Sequence, residues 1–189
     1  MTSTVSLPYN INKYFDILDQ SIYVIVNLPV NDTVEYDILD TEEDIADKKI
    51  AIRHEQLTKN LTEMWKDAIG YYDGFKKVLD GNSGIDVVSE TRKIALIVKN
   101  RKMSASSRKS SLNKLSKYKK AHPDYTCIYA TINYETDEER KGWMREITHD
   151  DAVVLHTIGM CFLHYIFKEE TDRIVYFIRK TLSKYTKQV

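Results

Sequence analysis

The stretch Gly84-Ile85-Asp86-Val87-Val88-Ser89-Glu90-Thr91-Arg92-Lys93-Ile94-Ala95-Leu96-Ile97-Val98-Lys99-Asn100-Arg101 decides the fold of this chain. Two short runs rich in β-branched and apolar residues, Ile85–Ser89 and Ile94–Lys99, flank the polar turn Glu90–Lys93, which is the pattern of a β-hairpin. The segment Asp80–Gly84 in front of it is built of turn formers, with glycines able to take positive φ. A hairpin of this size folds the chain back on itself. Asp86 near its start and Lys99 at its close therefore come to the same end of the strand pair. A carboxylate and an ammonium placed there can face one phosphate group.

Working outward, Ser104–Ser111 reads as a Ser/Arg/Lys loop capping a basic helix from about Ser107 to Ala121. That helix carries Leu112, Leu115 and Tyr118 on one side and its lysines on the other. Tyr125–Asn133 is β-branched and aromatic and reads as a central strand. Upstream, Leu57, Leu61, Met64, Trp65, Ala68, Tyr72, Phe75 and Leu79 recur at helical spacing, which predicts a helix over about Arg53–Leu79. Residues 9–20 have the same periodicity, and Ser21–Pro29 reads equally as a buried strand or as the end of that helix. Asp32–Asp47 is half acidic, the composition of a solvated helix or loop, or of a surface that repels DNA toward a basic face. A polar stretch with Trp143 leads to an expected helix near Asp150–Phe167, and a last helix covers about Thr171–Tyr185. The order helix, strand, strand, helix, strand, helices gives an α/β (α+β) fold with a small mixed central sheet flanked by helices. At 189 residues the chain is expected to be one domain, 1–189, with its core over about 53–135 and a C-terminal helical part over 148–187.

Charge is strongly segregated. Between Thr91 and Pro123 lie eleven of the 28 basic residues and none of the 28 acidic ones, which leaves a net charge of −11 on the rest of the chain. Such a block is the footprint of a surface that meets a polyanion. The hydrophobic fraction of 42% is enough for a real core and argues against a disordered chain. Cys127 and Cys161 sit in apolar runs, as small buried hydrophobes in a reducing compartment do. The start has no signal-peptide pattern and no apolar run is long enough to span a bilayer, so the expected location is the cytoplasm. Phosphate-binding glycine loops are missing, and His54-Glu55 is not a zinc motif because Thr58 stands where its second histidine belongs. His149, His156 and His164 have the spacing of core or surface histidines, and Tyr71-Tyr72 that of core or dimer contacts.

Gly84-Ile85-Asp86 followed by Ile97-Val98-Lys99-Asn100-Arg101 resembles the PD-(D/E)XK nucleases. The particular likeness is to type II restriction endonucleases with a Gly-x-Asp strand, a hairpin and then Glu-x-Lys-Asn-Arg. Ser106-Ser107-Arg108-Lys109, Lys119-Lys120 and the Tyr125–Asn133 strand are similar to the group that cuts short GG/CC-containing palindromes. The resemblance covers about residues 53–135. It implies a restriction-endonuclease-like fold, Mg²⁺ as cofactor, double-stranded DNA as partner and a homodimer matching the palindrome. It implies that Asp86 binds the metal with help from the Val98 carbonyl, and that Lys99 orients the water or stabilises the transition state. Asn100, Arg101, Lys102, Ser106, Ser107, Arg108 and Lys109 would contact DNA, their donors suiting phosphates and base edges.

One position departs from the family. Ile97 stands where the family has Glu, and an isoleucine cannot bind Mg²⁺. Three readings follow. The acid has moved, to Glu90 at the turn or to Glu55 or Glu63 on the preceding helix, with Glu55 the first choice because upstream helix carboxylates often reach the site in this superfamily. Alternatively the chain binds DNA without cutting it, or the register is misread. The leading expectation is a Mg²⁺-dependent, sequence-specific double-stranded DNA endonuclease, activity uncertain. A non-cleaving DNA-binding protein on the same fold comes second, and an adaptor whose basic face meets an acidic protein comes third.

Overall fold

The structure, a computed structural model, describes residues 9–29, 35, 38–133 and 140–186. A six-stranded mixed sheet in the order β1-β2-β3-β4-β6-β5 forms its centre. The strands are β1 Lys76–Lys77, β2 Val87–Ser89, β3 Ile94–Lys99, β4 Thr126–Thr131, β5 Trp143–His149 and β6 Ala152–Ile158. β2 and β3 form the antiparallel hairpin read from the sequence, whereas β3, β4 and β6 run parallel. The mixed α/β class is thus as expected.

The parallel β3–β4 pair requires a crossover, and α3, Ala105–Ala121, supplies it on one face of the sheet. Leu112 and Leu115 of α3 share an apolar cluster with Ala95, Ile97, Cys127 and Tyr129. Alternation along β3 sends Ile94, Leu96 and Val98 to the opposite face. There they join the larger core built with α1 (Ile11–Val26), α2 (Glu42–Gly70), α4 (Gly159–Phe167) and α5 (Thr171–Thr186).

Several boundaries differ from those the pattern predicts. Ser21–Val26 is the end of α1, whose N-cap Asn10 accepts from the Asn12 and Lys13 amides. α2 begins at Glu42, because Thr41 and Asp44 form a reciprocal capping box with three acids in the first turn. It ends at Gly70, well short of Leu79. Lys76 and Lys77 leave the helix to pair with Val88 and Val87, so Phe75 reaches the core from a loop and Leu79 is 89% exposed. Ser106–Ser111 is helical rather than a loop, since the Ser104 side chain accepts from the Ser107 amide and starts α3 two residues earlier than expected. Residues 150–158, expected as helix, are instead turn and strand. Asp150 and Asp151 take φ of 47° and 61°, the two-residue turn with positive φ at both positions that matches the twist of a hairpin. The expected helical part 148–187 therefore starts only at Gly159. Part of the acidic stretch Asp32–Asp47 (residues 32–34, 36 and 37) lies outside the described residues.

Candidate functional site

The site lies at the open end of the β2–β3 hairpin, where the strands diverge between α2 and α3. Gly84, at φ +68°, turns the chain there so closely that a Cβ would stand 2.5 Å from the Lys114 side chain of α3. Asp86 follows, and its amide donates to the Leu96 carbonyl. Its carboxylate Oδ2 accepts from the Val98 amide at 2.9 Å, so the side chain takes over where the β2 ladder ends. The two chain segments do fold back as the hairpin reading requires: Asp86 bonds the residue next to Lys99.

Lys66, on the last part of α2, joins them. Its Nζ lies 3.3 Å from Asp86 Oδ1 and 3.0 Å from Glu63 Oε1. Burial would lower the Lys66 pKa, but the Asp86 and Glu63 carboxylates outweigh it and hold the ammonium above the ordinary lysine range. Lys99 shifts the other way. Burial is the main cause, Lys66 and Lys114 add to it, and Asp86 and Glu63 oppose it, so Lys99 gives up its proton more readily than a free lysine. A cleft of about 480 Å³ runs along α2 past these groups, lined by Glu55, Lys59, Glu63, Lys66, Lys99 and Arg101 among others.

The remaining expected residues divide. Glu55 lines that cleft but pairs with Lys59 at 3.1 Å and lies eight residues from Glu63, about 12 Å along a helix. It is not the carboxylate that shares a cation with Asp86; Glu63 is, through Lys66. Glu90 sits at the opposite, turn end of the hairpin, in an ion pair with Lys76, and so cannot serve Asp86. Ile97 is 2% exposed within the α3-side cluster, which it shares with Ile85, whereas the Asp86 carboxylate bonds the Val98 amide and Lys66 of α2. The Val98 carbonyl faces the Asp86 side. Lys93 and Lys99 carbonyls accept from β4, and alternation turns those of Leu96 and Val98 toward β2.

Among the expected DNA contacts, Arg101, Lys102, Ser106, Arg108 and Lys109 are exposed and Ser107 is partly so. Asn100 is the exception. It is 4% exposed, its amide donates to Thr62 Oγ1 and its Oδ1 accepts from the Asn133 side chain, so it braces β3 against β4 rather than facing a ligand. The basic block is also smaller than its sequence suggests. Arg92 donates to the Tyr165 and Ile166 carbonyls at the end of α4, and Lys119 to those of Pro123 and Tyr125. Both are structural cations.

The fit of a magnesium ion rests on the donor set. No group of three or more His, Cys, Asp or Glu side chains among the described residues is placed to hold a metal. Two carboxylates, Asp86 and Glu63, do converge on one cation, the Lys66 ammonium, with a main-chain carbonyl beside them. Magnesium commonly takes one or two carboxylates and fills the rest of its octahedron with water and phosphate oxygens. The donors are of the right kind, and Lys66 is the cation that would have to yield. Glu63 had been one of three alternatives in the sequence, whereas Lys66 went unrecognised because helical periodicity does not say how a helix is rotated against its sheet. No family model matches the chain, and no curated protein does either.

Proposed function

We propose that this chain is a double-stranded DNA endonuclease of the restriction-enzyme type, hydrolysing phosphodiester bonds with Mg²⁺ as a homodimer on a short specific site. One observation carries the reading. Asp86, Glu63 and Lys99 gather at one end of the hairpin, and the exposed cations Arg101, Lys102, Arg108 and Lys109 continue from it. Asp86 and Glu63 would hold the ion with the Val98 carbonyl; bound there, Mg²⁺ supplies charge stabilisation to the phosphate and acidifies a water. Lys99, half-buried and with its pKa held below the ordinary lysine range by burial, orients that water, and Arg101 and Lys102 fix the strand through its phosphates.

A second reading has its own support. Ile97 stands where the resemblance expects a carboxylate and Lys66 already neutralises Asp86 and Glu63, which suits a DNA-binding protein that does not cut. Plasmid nicking in Mg²⁺ and Mn²⁺ decides between them, with Asp86→Ala as control and Lys66→Ala as the variant that frees the two carboxylates. Cleavage that Asp86→Ala abolishes supports the enzyme. Salt-sensitive DNA binding in EDTA with no cleavage by either protein supports the binder. No binding at low salt defeats both.

A further inference from the structure

A second cavity, of about 310 Å³, opens on the α3 side of the sheet beside β4, β6 and β5. That is the small end of the roughly 300–1,000 Å³ typical of ligand pockets. Its walls combine two chemistries. Lys102, Arg108 and Arg145 bring three cations from the β3–α3 loop, from α3 and from β5. Tyr129, His156 and Trp143 bring a row of rings, with centroids 5.2 Å and 4.8 Å apart along the row.

Each component is held in place by the fold. Tyr129 and His156 are register partners on β4 and β6, and Arg145 is the partner of His156 on β5, so all three project to one face. The Trp143 carbonyl accepts from the Thr157 hydroxyl, and the Arg145 guanidinium lies over the Trp143 ring at 4.3 Å. Among the described residues no carboxylate pairs with Lys102, Arg108 or Arg145. Three cations round one cavity, with no carboxylate paired to them among the described residues, repel one another, and the His156 ring feels Arg108 and Arg145. Burial first, then Arg108 and Arg145, hold its pKa below the ordinary histidine range, so the ring is neutral at pH 7, with one nitrogen to donate and one to accept.

We propose that this cavity binds a mononucleotide unit, its phosphate among Lys102, Arg108 and Arg145 and its base against the Trp143–His156–Tyr129 row. A phosphate, dianionic on a free nucleotide and monoanionic within a strand, matches the cationic wall, and an aromatic heterocycle matches the rings and the neutral imidazole better than an aliphatic anion does. The unit is either a free nucleotide or one nucleotide of a strand. The inference does not depend on a cutting site at Asp86, and its deciding titrations, with nucleotides, nucleosides and orthophosphate, contain neither DNA nor metal.

The test is a titration of the full chain with dGMP, dCMP, orthophosphate and the two deoxynucleosides, followed by tryptophan fluorescence and calorimetry. Trp65 is buried in the larger core, so the signal reports on Trp143. At least one nucleotide is expected to bind ten-fold or more tightly than orthophosphate and than its own nucleoside. Arg145→Ala, at an exposed position, is expected to weaken it ten-fold with an unchanged circular dichroism spectrum. Competition by a single-stranded oligonucleotide that an abasic oligonucleotide of the same length does not match identifies a strand as the source, and equal competition by the two, or none, identifies a free nucleotide. Equal affinity for orthophosphate, no binding by either nucleotide, or an Arg145→Ala protein that binds as well as the parent overturns the proposal.

Discussion

The two ends of the β2–β3 hairpin have similar charged residues and opposite electrostatics. At the turn end every charge is answered. Glu90 pairs with Lys76, Lys93 with Asp124 and lies over the Tyr125 ring, and Arg92 caps α4 while resting on Phe75. At the open end Lys66 bridges Asp86 and Glu63, Lys77 reaches Glu63, Lys99 feels both carboxylates and the added charge of Lys114, and Arg101 lines the same cleft with no carboxylate of its own among the described residues. Charges closed into pairs hold the fold together, whereas an excess of one sign at a half-buried site is left for a ligand to balance. The difference shows why a count of basic residues overstates a binding surface.

The sharpest way to test that contrast is Ile97→Glu, which puts a carboxylate where the nuclease resemblance expects one. Buried in an apolar cluster, it is expected to cost about 3–5 kcal/mol in urea unfolding. Millimolar Mg²⁺ should recover part of that loss and raise nicking; a melt that ignores Mg²⁺ breaks the assignment of this end as a metal site. Asp86→Ala comes next. It orphans the Val98 amide and leaves Lys66 with Glu63 alone, for a loss of about 1–3 kcal/mol together with any cleavage. Its mirror at the turn end, Glu90→Ala, is expected to leave both the urea midpoint and DNA affinity unchanged, and a comparable effect there would erase the distinction between the ends. The smallest effect is one of pH. His156 is held below its ordinary pKa of 6.5 in the folded protein, so the unfolded chain binds more protons as pH falls from 6.5 toward the folded value. Stability should therefore decline as pH falls below about 6.5, and His156→Gln should flatten that decline in urea melts.

The hairpin, α3 and β4 could be read directly, because each carries its own local signal: two apolar runs round a polar turn, a serine cap, or a β-branched run. The β5–β6 hairpin could not be read as such, although Ile147-Thr148-His149-Asp150-Asp151-Ala152-Val153-Val154 contains the clue. Two β-branched segments there meet at a two-residue aspartate turn, but Val154, Ile158 and Phe162 also keep helical spacing, and that longer period dominated. α2 was misjudged for the converse reason. Phe75 continues its stripe in sequence yet enters the same core from a loop.

The order of charges and apolar residues along the chain determined the class of fold, the hairpin that returns Lys99 to Asp86, and the acid-free segment that follows. Such features are local, set by neighbours a few positions away. Only the packed molecule decided that Glu63 rather than Glu55 or Glu90 shares a cation with Asp86, that this cation is Lys66, and that Asn100 turns inward. Those outcomes depend on how α2 is rotated and placed against the sheet. That rotation is fixed by the burial of Met64, Trp65, Ala68 and Ile69 against partners far away in sequence.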